Sequence, residues 1–337
     1  MLARETEAET LTALTMKAAV IREPGAPEVL ELEELPVPKP ASGWVLIRVK
    51  AFGLNRSEFF TRQGHSPDVR FPRVLGIEAV GVVEDAPGGE FNTGEIVATA
   101  MGGMGRAFDG SYAEYTSVPA KQIQVLNTSL GWDTVGALPE MIQTAWGSLN
   151  SSLQLKSGQS LLIRGGTTSV GLAAAALAKK QGAIVAATTR KADRESMLKV
   201  NGADHVFIDT GEIASDVCQV FPDGVDKVLE LVGTTTLLDS LQSVARFGTV
   251  CMTGMVGNAW EFDQFSPMGA IPSTVNLTTY AGGVQDFIDT PLQTVVNDIE
   301  EGRMTAKIGR VFQLDDIVAA HRCMEDNAAG GKIVVLT

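Results

Sequence analysis

The chain has 337 residues, enough for two domains with separate cores. Its 40 acidic and 27 basic residues leave a net charge of −13, which argues against non-specific nucleic-acid binding and against docking to an anionic membrane. No apolar run approaches the ~18 residues of a bilayer span. Met1 to Thr15 carries Glu5, Glu7 and Glu9 without an apolar core, so a flexible tail is expected rather than a secretory or transit signal, and a cytoplasmic protein. The three cysteines, Cys218, Cys251 and Cys323, form no C-x-x-C pair, so the usual sequence mark of a structural zinc site is missing.

Met16 to Ile21 predicts a short strand, closed by the Pro24-Gly25-Ala26-Pro27 turn. Leu30 to Leu35 alternates apolar and acidic residues, as a half-buried antiparallel strand does. Trp44 to Ala51 is the next strand, and short strands with Gly/Pro turns continue to about residue 137, the pattern of a β-barrel or roll. Within this part, AFGLNRSEFFTRQG (residues 51–64) predicts a polar loop and a short helix near Glu58 to Arg62. Asn55 and Ser57 stand where helix caps stand, and equally where a loop would offer polar groups to a ligand. The glycine-rich loop Met101 to Gly110 reads either as a mobile apolar cover or as an ordinary surface loop. Tyr112 and Tyr115 lie three apart on the following strand and so point to opposite faces, into the core or into a cleft.

Near residue 138 the pattern changes to a helix, LPEMIQTAWGSLN, and then to the stretch that organises the chain, Ser160 to Ala187. Leu161 to Ile163 is a buried strand, Gly165-Gly166 a tight turn, Gly171 to Lys180 an alanine-rich helix, and Ala183 to Thr188 a second strand. This βαβ unit directs a helix N-terminus at a phosphate, as dinucleotide-binding folds do. The middle fingerprint glycine is replaced by Thr168, so Thr167, Thr168 and Ser169 are expected to offer hydroxyls beside Val170. NAD-binding folds place a carboxylate roughly 20 residues on. Here the strand runs into Thr189, Arg190 and Lys191, with Arg194 beyond, which suits the 2′-phosphate of NADPH or else a solvated basic loop. Further strands end at Val232-Gly233 and at Gly254-Met255, either on the cofactor side of the crevice or as plain turns. A helix is expected from Thr235 to Arg246, and Val275 to Tyr280 reads as an edge strand able to pair with a second copy. Helices at Pro291 to Arg303 and Leu314 to Met324 and strands at Gly309 to Leu314 and Lys332 to Leu336 are left over from the six-strand order, so they are expected to return to the first domain.

Taken together, MKAAVIREPGAPEVLELEELPVP, LNRSEFFTRQG, FPRVLGIEAVGVV, DGSYAEYTSVPA, MIQTAW, the phosphate turn and GGKIVVL resemble the zinc-independent quinone oxidoreductase (zeta-crystallin-like) branch of the medium-chain dehydrogenase/reductase superfamily, from Met16 to Thr337. The resemblance implies a Rossmann doubly wound parallel sheet (138–283) and a GroES-like β-rich catalytic domain (16–137 and 284–337) behind the tail at 1–15. Zinc-using relatives carry a Cys ligand where this chain has Asn55 and Gly-His-Glu where it has Gly76-Ile77-Glu78, which implies no catalytic metal and no support for alcohol oxidation. Implied instead is hydride transfer from NADPH to a quinone or an activated C=C bond, with solvent protonating the oxyanion, in a homodimer. By family position Asn55 would touch the nicotinamide ribose or the substrate carbonyl, and Thr144 the nicotinamide. Where relatives often carry a Tyr, this chain has Phe60, which leaves Tyr112 as the remaining phenolic candidate. Two rival readings are a pathway-specific enoyl reductase and a non-catalytic NADPH-binding structural protein.

Overall fold

The computed structural model describes residues 14–337, and the tail expected at the N-terminus lies outside the described residues except for its last two, since Thr15 already opens the strand Thr15–Ile21. Six parallel strands form one sheet, in the order His205–Ile208, Ile184–Thr189, Ser160–Arg164, Val225–Glu230, Val244–Met252, Asn276–Thr279. This is the doubly wound order, with the βαβ unit at its centre. Ser160–Arg164 is buried along its whole length: Leu161 and Ile163 enter one core and Leu162 the core on the opposite face. Being covered on both faces is why this strand reads as a continuous apolar run instead of alternating. No helix among the described residues is long and apolar enough to cross a membrane.

The second sheet is largely antiparallel and holds the strands Ile308–Gln313, Lys332–Leu336, Trp44–Gly53, Glu78–Asp85, Ile96–Ala100 and Ile123–Val125, with Tyr115–Pro119 also paired to Trp44–Gly53. The last strand of the chain thus lies against one of the first, with Val334 opposite Gly53. That register carries Lys332 into the interior beside Asn55.

Three local expectations change. The helix after Gly233 ends at Gln242, and the chain enters the sheet at Val244. Val244 and Val250 share one core, and Phe247 takes a left-handed turn (φ 65°) between them, so burial draws the segment into the sheet early. A helix at Val284–Asp289 was not foreseen; its signal is Asp286, whose carboxylate accepts the Gly283 amide at 2.7 Å. The loop at 101–110, expected as a mobile apolar cover or an ordinary surface loop, is packed against the β-rich domain along part of its length. Met104 is fully buried, Phe108 packs edge-on against Trp44 at 5.2 Å, and a Cβ at Gly110 would stand 2.1 Å from the Gly76 carbonyl oxygen.

Candidate active site

A cleft of about 810 Å³ opens between the two sheets. Asn55, Phe60 and Lys332 line it from the β-rich side, Ser169, Val170, Gly254 and Met255 from the parallel sheet, and Thr144 from the helix Pro139–Gly147 that joins them.

The phosphate turn is built as its glycines require. Gly165 has φ +83°, and a Cβ on Gly171 would stand 2.6 Å from the Gly165 carbonyl oxygen, so the helix packs down on the turn only without a side chain. Gly166 would meet Ala187 Cβ at 2.9 Å. The Thr168 hydroxyl donates to the Gly165 carbonyl and accepts the Gly171 amide, both at 2.9 Å, and so caps the helix, while the residue lines the cleft beside Ser169 and Val170. The first-turn amides of Ser169 and Val170 have no carbonyl within the helix to bond, and both residues line the cleft. Thr167 is half-buried and stands outside the lining. The cradle therefore fits a dinucleotide pyrophosphate.

On the flank of the turn, Thr188 Oγ accepts the Gly165 amide at 3.0 Å, which ties the second strand to the glycines. Thr189 is buried, stands outside the cleft lining, and its hydroxyl accepts the Lys191 amide at 3.1 Å, which closes the turn. Arg190 and Lys191 project into solvent past the strand end, and Arg194 is half-buried; all three stand outside the cleft lining. The Val232 and Gly233 amides are both taken by Glu230 Oε1, at 2.7 and 3.0 Å, so these two residues shape the strand end while Gly254 and Met255 face the cleft.

Asn55 begins the helix Arg56–Arg62 without capping it by its side chain. Its amide points into a buried polar cluster: Nδ2 donates to Glu78 Oε1 at 2.9 Å and to Glu58 Oε1 at 3.3 Å, and Oδ1 accepts from Lys332 Nζ at 2.5 Å. Turning the amide over would set oxygen against carboxylate and nitrogen against ammonium, so the charges fix its orientation. Lys332 Nζ also lies 2.8 Å from Glu78 Oε1 and 3.7 Å from Glu140 Oε2. Glu78 accepts the Glu140 amide at 2.8 Å, and Glu140 accepts the Thr144 hydroxyl at 2.8 Å. Burial, then the Glu78 charge, push the Glu58 carboxyl up to about 8. Burial likewise raises Glu140 against the pull of Lys332. Burial works to strip the Lys332 proton, but Glu78 and Glu140 outweigh it and hold the ammonium above its usual value.

Of these residues only Asn55 and Thr144 were singled out from sequence as cofactor or catalytic candidates. Glu58, Glu78, Glu140 and Lys332 were missed as a site, although charged residues embedded in the apolar runs EAVGVV and KIVVL were a readable signal. Tyr112, expected as a catalytic phenol, is corrected. Its ring stacks on Phe52 at 4.8 Å, its hydroxyl pairs with His321 Nε2 at 3.0 Å, and it is fully buried outside the cleft lining. Phe60 does line the cleft, edge-on to Trp260 at 4.5 Å.

The cradle and the cluster can be set beside known proteins. Residues 41–128 match the alcohol dehydrogenase GroES-like domain model, and residues 201–335 match the model described as zinc-binding dehydrogenase. The quinone oxidoreductase of Lama guanicoe is 28% identical over 95% of this chain and 97% of its own. The acryloyl-coenzyme A reductase of Sulfurisphaera tokodaii is 25% identical over 95% of this chain and 99% of its own. A mycobacterial protein solved in complex with NADPH superposes with a TM-score of 0.85, at 26% identity, covering 96% of this chain and all of that one. The chain belongs to the medium-chain dehydrogenase/reductase superfamily. It is an oxidoreductase of that superfamily, with a GroES-like β-rich domain and a Rossmann domain. The family model's description mentions zinc, but the donor set here encloses a lysine: with the Lys332 ammonium bonded to Asn55 and Glu78, the floor of the cleft already holds a fixed cation. Among the described residues no group of three or more His, Cys, Asp or Glu is arranged to hold a metal ion.

Proposed function

We propose that the protein is an NADPH-dependent reductase of quinones or activated C=C bonds that works without a metal. The observation that carries this reading is the Lys332 ammonium, which fills the floor of the cleft where a Lewis acid would have to stand. When bound, NADPH supplies the hydride, and an acceptor that is already electron-poor needs no metal to polarise it. The amides of Ser169 and Val170 hold the pyrophosphate, and Asn55 and Thr144 border the space left for nicotinamide and acceptor. Phe60 and Trp260 give that space an aromatic wall suited to a flat ring. Reduction of an enoyl thioester is the second reading, favoured by a cleft of about 810 Å³ and by the similarity to an acryloyl-coenzyme A reductase. The exposed edge strand Asn276–Thr279 supports pairing with a second copy.

The deciding experiment follows NADPH consumption against a benzoquinone, an ortho-quinone, a 2-alkenal, a cyclic enone and an enoyl thioester. Quinone preference supports the first reading, thioester preference the second, and tight NADPH binding without turnover of any acceptor would sink both. The choice of NADPH over NADH rests on Arg190 and Lys191. Arg190→Ala with Lys191→Ala should raise the KM for NADPH by about 10–100-fold and leave that for NADH within a factor of about two. Equal effects on both cofactors would remove the 2′-phosphate assignment.

A further inference from the structure

We propose that Glu140 and Thr144 are the proton-delivery pair of the cleft: Thr144 hands its hydroxyl proton to the reduced acceptor, and the Glu140 carboxyl replaces it. This rests on the reductase reading and names the proton source that the reading lacks. The two residues lie one turn apart on one face of the helix Pro139–Gly147, with Thr144 Oγ1 and Glu140 Oε1 at 2.8 Å, and both line the cleft. The other Glu140 oxygen faces Lys332 Nζ at 3.7 Å, and the Glu140 amide is pinned to Glu78 at 2.8 Å, so the first turn of the helix cannot drift. The Glu140 side chain is 14% exposed, open enough to the cleft to exchange a proton, and burial raises its carboxyl above the ordinary glutamate range.

The other candidate donors are weaker. Phe60 has no proton to give, and Tyr112 is shut in the core. Tyr280 lines the cleft, but burial drives its hydroxyl well above the ordinary phenol value, and that hydroxyl lies 3.4 Å from the Gln143 carbonyl oxygen. His65 stands in the aromatic wall with Phe60 and Trp260.

The step balances. The hydride brings two electrons and one hydrogen nucleus, leaving one negative charge on the acceptor. The acceptor gains its proton as the Thr144 O–H bond breaks, Thr144 Oγ takes the proton of Glu140 as that O–H bond breaks, and the negative charge ends on Glu140, where the Lys332 ammonium stabilises it. Solvent entering the cleft reprotonates Glu140. The direction of the Thr144–Glu140 bond follows the charge: an ionised Glu140 accepts from Thr144, and a protonated Glu140 donates to it, which frees the Thr144 proton for the acceptor.

Two readouts test the pair. In the cofactor-free protein with 13C-labelled glutamate carboxyls, the resonance lost in Glu140→Gln should titrate above the ordinary glutamate range and should move in Thr144→Val. The charged or titratable groups that face Glu140 are Lys332, Glu78 and Tyr280; Glu58 couples to Glu78 and Lys332, so the titration is repeated in Glu58→Gln to separate that carboxyl. In turnover, Glu140→Gln and Thr144→Val should each lower kcat by about 10²–10³-fold, with the KM for NADPH within about twofold. The solvent isotope effect and one limb of the pH profile of kcat should disappear with them, the double variant should be no slower than either single one, and Thr144→Ser should restore most of the rate. A Glu140 resonance titrating in the ordinary range, or a Glu140→Gln enzyme within about threefold of wild type, overturns the proposal. So does loss of the isotope effect in Tyr280→Phe or His65→Gln but not in Glu140→Gln. Absence of turnover with every acceptor overturns the reductase reading and the proton-delivery role with it, whereas turnover that survives Glu140→Gln overturns the pair alone.

Discussion

Lys332→Met should be among the most damaging single substitutions in the protein. The ammonium is 1% exposed and holds Asn55, the fully buried Glu78 and Glu140 together. Removing it leaves carboxylates in the interior without their counter-charge, a loss of about 3–5 kcal/mol in comparable buried pairs. Denaturant unfolding at pH 7 would measure it. The variant should regain stability as the pH falls toward 5, because the stranded carboxylates then bind protons that the unfolded chain does not. Adding Glu78→Gln should recover part of the loss, since the orphaned charge is gone and the amide oxygen still accepts one of the two bonds made to Glu78, from Asn55 or from the Glu140 amide. A loss under about 1 kcal/mol, or a double variant worse than the single one, would mean that the cluster is solvated and not the floor described above.

The second large effect is a pH dependence set by Glu58. Burial and the Glu78 charge raise its carboxyl from 4.5 to about 8, so across that interval the folded chain keeps a proton that the unfolded chain has released. Stability contributed by this group is therefore fully present below about 4.5 and is lost as the pH rises to about 8, at up to about 1.4 kcal/mol per pH unit. Glu58→Gln keeps the acceptor for the Ile77 amide and for Asn55 and cannot ionise. The stability gap between Glu58→Gln and wild type should widen in favour of the variant by a few kcal/mol between pH 5 and pH 8. Parallel pH curves for the two proteins would show that Glu58 titrates normally.

The sequence already carried the βαβ unit, because its signals are local: the apolar run of Leu161 to Ile163, the glycines at 165, 166 and 171, and the alanine-rich helix each act on neighbours along the chain. It carried the antiparallel strand Leu30–Pro36 for the same reason, and Asn55 and Thr144 as residues of the cleft through resemblance. Local signals failed where two of them competed. Thr168 lines the cleft as a phosphate ligand would, but its hydroxyl also caps the helix by accepting the Gly171 amide, and the sequence alone does not separate the two roles. Tyr112 and Tyr115 are expected on opposite faces of one strand, but the strand begins only at Tyr115 and both rings pack into one core.

The reacting floor was decided by tertiary structure alone. Asn55, Glu58, Glu78, Glu140 and Lys332 come from two helices and two strands, and Asn55 and Lys332 are 277 residues apart. In sequence each is a polar residue beside an apolar run, a common pattern at the ends of elements. What joins them is a sheet register: Val334 lies opposite Gly53, which carries Lys332 to Asn55 and Glu78. Strand pairing between the two ends of a chain is settled by burial over the whole sheet, and no periodicity within either strand encodes it.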